Sequence, residues 1–212
     1  MDTGRPDRVR HVRFDPTPGG TPTPAINPMR IIAGLGAILF PVCNILPLRF
    51  VDIERENDSN RVAGLLFLFA YTLLLPLVYV LYKELSAVSR PGAAGVSILG
   101  VGVVLGVAAG VSGVLNFTTT TIVTSACLSL WVGLAGLLAF AGHVLKRAWA
   151  VFSVAIGALA LVAAALTAFG GTGLGSSPAL AVWIIYIPAV AIWAEWTGIM
   201  FLLRARKAPA GA

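Results

Sequence analysis

Charge is what this sequence has least of: of 212 residues only 11% are Asp, Glu, Lys or Arg, against 58% hydrophobic. A soluble domain carries about 25% charged residues, so a water-soluble fold is excluded. Histidine and cysteine are as scarce, with two of each. His11, His143, Cys43 and Cys127 stand far apart in sequence, and no zinc, haem or C-x-x-C spacing arises. No metal and no cofactor is therefore expected. Both thiols fall inside apolar runs, where free cysteine is ordinary packing material. A Walker loop, a dinucleotide fingerprint and an H-E-x-x-H pair are also missing. Ser, His and Asp never share one depth, so no nucleophile–base constellation and no enzyme is expected.

What is present is apolar chain in lengths that cross a membrane. Mean hydropathy is +0.89. Six segments, at 30–49, 62–82, 93–115, 120–142, 148–169 and 179–203, reach the length of about 20 residues that a hydrocarbon core requires. None alternates apolar with polar residues as a barrel strand would. The fold class expected is all-α: a polytopic integral membrane protein with six transmembrane helices.

The basic residues orient it. Arg5, Arg8, Arg10, Arg13, Arg30, Lys83, Arg90, Lys146, Arg147, Arg204, Arg206 and Lys207 fall on one side, and only Arg49, Arg55 and Arg61 on the other. By the positive-inside rule both termini are cytoplasmic, N-in and C-in. The net charge of +6 is thus read as orientation and lipid contact, with the bilayer as partner and no nucleic acid. Three parts follow: a disordered cytoplasmic tail over 1–29, a transmembrane domain over 30–203, and a basic C-tail over 204–212. The tail's prolines favour extended, hydrated chain, and it lacks the form of a signal peptide. The location expected is the cell (cytoplasmic) membrane. Trp149 and Trp183 are expected in the interfacial aromatic belts. The sequons at Asn57 and Asn116 are too short a motif to imply glycosylation.

Subtraction isolates the candidate site. Of nine acidic residues, Asp2, Asp7 and Asp15 lie in the tail, Asp52, Glu54, Glu56 and Asp58 in the first outer loop, and Glu84 in an inner loop. Glu195 remains, inside the sixth segment. It stands nine residues before Arg204, about 13 Å deep at 1.5 Å per residue. Such residues usually face the bundle or a cavity and suggest function. Its helical face includes Ile184, Pro188, Ala191, Ile192, Gly198, Ile199 and Leu202. Pro188 cannot donate to the Ile184 carbonyl, which leaves a free acceptor on that face. No cation lies at the same depth, so the partners expected are Tyr71, Thr72 and Tyr79 on the second segment and Asn44 on the first. The competing reading is a neutral acid acting as structural glue.

The first segment holds Pro41, Asn44 and Pro47 and is expected to be kinked or broken, as in transporter sites. Gly102, Gly106 and Gly110 form a glycine zipper on the third, for close helix packing. Ser153, Gly157, Ala160, Ala164 and Ala168 echo it on the fifth. The function expected is a small transporter or ligand-binding bundle with Glu195 as its protonatable residue. The alternative is a non-catalytic membrane subunit or scaffold that packs against a partner membrane protein or a second copy.

Overall fold

The computed structural model describes residues 27–46, 58–115, 117–169 and 177–205. The N-terminal tail, most of the first outer loop, both sequon asparagines, the Gly170–Ser176 loop, the side chain of Trp183 and the end of the basic C-tail lie outside the described residues. Of the described residues 91% are helical and none is in a strand, so each segment satisfies its own backbone, as lipid demands. The helices are α1 (Pro28–Ile45), α2 (Asp58–Thr72), α3 (Leu75–Ser86), α4 (Arg90–Val111), α5 (Phe117–Gly142), α6 (Arg147–Phe169) and α7 (Ser177–Ala205). Six stretches are long and apolar enough to cross a membrane, α2 and α3 together making one of them.

Local chemistry sets several boundaries. Asn27 caps α1 by accepting from the Arg30 N–H, with Pro28 in the first turn. Ser89 does the same for α4 through Gly92, with Pro91 in its first turn. An N-cap oxygen satisfies a donor that the helix itself leaves orphaned.

The break expected in the first segment does not occur at Pro41, and Pro47 lies outside the described residues. Helix α1 runs unbroken through Pro41, which is buried, so the packing around it holds the turn together despite the missing N–H. The second segment breaks instead, at Leu73–Leu74. Pro76 has no N–H for the preceding turn, and the chain tightens there: Leu73 N–H reaches Ala70 O at 3.2 Å and Leu74 N–H reaches Tyr71 O at 3.1 Å. The break pushes the Leu73 carbonyl onto α1, where a Cβ on Gly36 would collide with it. Only glycine fits.

The spans pack as a closed ring in chain order, α1 against α2 and α3, then α4, α5, α6 and α7, with α7 returning to α1. The zipper works within the chain. Cys127, Thr124 and Thr120 of α5 lie over Gly102, Gly106 and Gly110 of α4, so each α5 side chain fills the gap that a missing Cβ leaves. On α6, Ser153, Gly157, Ala160 and Ala164 are buried as the small-residue pattern implies, whereas Ala168 is exposed. The ring's centre is filled by Phe40, Leu74, Leu77, Leu81, Trp131, Trp149, Trp193 and Phe201, each 1% exposed or less.

Candidate functional site

The rotation of α7 decides where Glu195 points, and large and small residues fix it on two sides. Trp193 is 1% exposed and Thr197 0%, both turned toward α6. There Trp193 Nε1 donates to Ser153 Oγ at 2.8 Å, and Trp149 Nε1 donates to Thr197 Oγ1 at 2.8 Å. The two hydroxyls in turn donate to the carbonyls of the tryptophans on their own helices: Thr197 to Trp193 O at 2.6 Å, Ser153 to Trp149 O at 2.9 Å. This is a reciprocal latch between antiparallel helices, each contributing a tryptophan and a hydroxyl four residues later. Trp131 of α5 stands edge-on to Trp193, with ring centroids 5.8 Å apart.

On its second side α7 meets α1 backbone to backbone. A Cβ on Gly198 would stand 2.6 Å from Gly34 O, and one on Gly34 would stand 2.9 Å from Gly198 O. At 100° per residue Glu195 lies about 200° from Trp193. Once Trp193 is inside, Glu195 must be outside. It is exposed on the outward face, together with Ile184, Ile185, Pro188, Ile192, Ile199 and Leu203.

This reverses the expectation that the carboxyl faces the bundle. Among the described residues Glu195 has no hydrogen-bond or ion-pair partner. Arg204, the nearest cation along the helix, is engaged elsewhere. The other candidate side chains do not gather around the acid. Tyr79 is 45% exposed, with Lys83 Nζ 5.7 Å from its ring centroid. Thr72 donates to the Phe69 carbonyl of its own helix at 2.7 Å. Tyr71 turns inward, edge-on to Phe40 at 5.2 Å. Asn44 sits one turn beyond Phe40, its Oδ1 buried without a hydrogen-bond partner among the described residues. Pro188 is exposed beside Glu195.

Two features were missed by sequence reasoning. Glu84 was assigned to an inner loop, yet it closes α3 and ties three helices together at one end of the bundle. Arg30 of α1 reaches its Oε1 at 2.5 Å and Arg204 of α7 its Oε2 at 3.6 Å. Arg204 also donates to the Val144 carbonyl in the α5–α6 joint at 3.3 Å. A single acid among basic residues was the available signal. The second is the tryptophan latch, whose signal was the matched spacing Trp149/Ser153 and Trp193/Thr197. Trp149, expected in an interfacial belt, is 0% exposed, because its N–H finds a partner inside.

The clasp around Glu84 makes a modest prediction. Its side chains are 15% to 31% exposed, so solvent and salt screen the attraction. Glu84→Gln should therefore lower stability by about 1 kcal/mol at low ionic strength, and by less in concentrated salt. Thermal unfolding in detergent at two salt concentrations checks both.

Chemically, the interior offers packed indoles, hydroxyls and phenols, and the outward face of α7 offers the Glu195 carboxyl. No group of three or more His, Cys, Asp or Glu gathers among the described residues.

No protein-family model, curated protein or solved structure matches the chain.

Proposed function

We propose that this chain is a non-catalytic membrane subunit, lying N-in and C-in in the cell membrane, that works by docking another transmembrane helix on the outward face of α7. One observation carries the reading: Glu195 stands on that face, near the middle of the span Ile184–Ala205. A charged side chain at a helix centre costs about 2.5–3.5 kcal/mol on insertion scales. An acid retained there without an internal partner is accounted for by an external one. The orientation is supported by the twelve basic residues that the sequence assigns to one side, two of which, Arg30 and Arg204, meet at Glu84.

The transporter or ligand-binding reading sets Glu195 beside a cavity formed with the first two segments, with Asn44, Tyr71, Thr72 and Tyr79 as candidate partners. Those side chains are dispersed, so it has lost its support from the acid.

The docking reading separates assembly from fold. Glu195→Leu removes the polar group and touches nothing inside the bundle. The variant should unfold at the same temperature as wild type or higher, while native-gel size in mild detergent falls from an assembly to a monomer. A wild type that is monomeric throughout, or an assembly unchanged by the substitution, would overturn the proposal.

A further inference from the structure

The outward face of α7 carries a pattern of its own. Ile185, Ile192 and Ile199 recur every seven residues, with Pro188 and Glu195 at the intervening positions three residues after the first two. This is the 3-and-4 spacing of a left-handed helix pair. Ile185, Ile192 and Ile199 are 61%, 56% and 50% exposed, and Pro188 and Glu195 are exposed with them. The next residue of the pattern, Leu202, leans instead on Gly34 of α1. The free seam therefore runs from Ile185 to Ile199, with Glu195 inside it.

Resting on the docking reading above, we infer that the helix this seam receives is α7 of a second copy, in a parallel dimer whose two Glu195 carboxyls hydrogen-bond to each other across the two-fold axis.

Depth, carboxyl chemistry and seam composition favour a second copy. The first of these is depth. Copies inserted the same way are related by a two-fold axis along the membrane normal, so every seam residue meets its own counterpart at its own level. A different protein would need a polar group placed at that level independently.

The second is chemistry. A neutral carboxylic acid is both donor and acceptor. Two of them satisfy each other, each O–H donating to the other's carbonyl oxygen, with no cation required. None is at hand. The flanking helices α1 and α6 contain, as charged or titratable groups, only Arg30 and Cys43, and Arg147. Arg30 is held by Glu84, and Arg147 stands at the start of α6 with its guanidinium over the Phe140 ring at 5.0 Å.

The third is the seam's composition. β-branched residues at one of the two seam positions are compatible with parallel two-stranded pairing, and isoleucine has little side-chain freedom left to lose on packing. No other charged side chain interrupts the stretch between Ile185 and Ile199, so two copies approach without repulsion.

Oxidative cross-linking in native membranes tests the inference. In a background carrying Cys43→Ala and Cys127→Ala, single cysteines are placed on the seam (Ile192→Cys, Ile199→Cys) and on distant exposed faces (Leu105→Cys of α4, Leu65→Cys of α2). Seam positions should give a covalent homodimer at least about ten-fold more efficiently than the distant ones, the contrast expected of a defined helix pair. Adding Glu195→Gln should retain the dimer, because an amide also pairs with itself. Glu195→Leu should weaken it about ten-fold, and Glu195→Lys should abolish it.

Photobleaching steps of the otherwise unaltered chain, labelled at its C-terminus in liposomes, should report two copies and does not depend on the cysteine substitutions. Equal cross-linking at seam and distant positions would overturn the seam. A dimer indifferent to Glu195→Leu would overturn the carboxyl pair. Seam cysteines that join only a different chain would overturn the second copy and leave the docking reading standing. Single-step bleaching at every density, with no adduct, would overturn both.

Discussion

Trp193→Ala should be among the most damaging single changes in this protein, lowering stability by about 3–5 kcal/mol, as large aromatic deletions do in close-packed interiors. Trp193 is 1% exposed, stands edge-on to Trp131, and lies 6.2 Å from the Trp149 ring centroid. Its loss opens a cavity between α5, α6 and α7 and removes the donor to Ser153 Oγ, which keeps only its own bond to the Trp149 carbonyl. Lipid tails are as apolar as the interior, so the loss comes from missing packing contacts and not from water exclusion.

Trp193→Phe separates the two contributions. It keeps most of the ring and deletes the N–H donated to Ser153. Interhelical hydrogen bonds in membranes average about 0.6 kcal/mol and reach about 1.7, so this variant should lose only that much. Unfolding of both variants in detergent, beside Glu195→Leu two residues along, provides the comparison. If Trp193→Phe is as damaging as Trp193→Ala, the latch is held by its hydrogen bonds and the packing account fails. A functional effect follows from the same geometry. Trp193 and Thr197 set the rotation of α7, so Trp193→Ala should also blur the outward seam and reduce seam cross-linking.

Gly157→Val should produce the second large effect, a loss of about 3 kcal/mol or more, at the upper end of what overpacking costs. A Cβ at Gly157 would stand 2.6 Å from Gly133 Cα, 2.7 Å from Ser129 O and 2.8 Å from Gly133 N. All three atoms are backbone, so no side-chain rotation relieves the collision and α5 and α6 must separate. That separation would pull Ser153 and Trp149 away from α7 and loosen the latch above it. Gly95→Val is the control, since nothing lies within 4 Å of a Cβ there. It should fold and melt close to wild type. Unfolding temperature and membrane yield of the two variants measure the contrast, and equal behaviour would mean the α5–α6 crossing is looser than the backbone contact implies.

The sequence by itself determined the number of spans, their helical nature and much of their small-residue packing. Length and the absence of charge suffice for the first, because hydrocarbon tolerates only backbone that is bonded to itself. Gly102, Gly106 and Gly110 were legible as a packing face because four-residue spacing stacks them on one side of a helix. Glu195 was legible as an exception for the same reason the spans were, being the one acid where every neighbour is apolar.

Which way each helix turns was decided only in the tertiary structure. A soluble helix announces its buried face by being polar on the other. A helix in lipid is apolar all round, so its inner and outer faces read alike. The cost of a carboxyl in hydrocarbon suggested that Glu195 points inward, but two other constraints outweigh it. Trp193 has a donor that finds Ser153 only inside, and Gly198 permits an approach to α1 that no larger residue would. With those two sides of α7 committed, Glu195 is left on the third. The same logic applies at the prolines: α1 stays helical through Pro41, whereas the second segment breaks at Leu73–Leu74 before Pro76, where the Leu73 carbonyl has Gly36 to settle against. Clasp and latch both join residues distant in sequence, and their partners were fixed when the ring of helices closed.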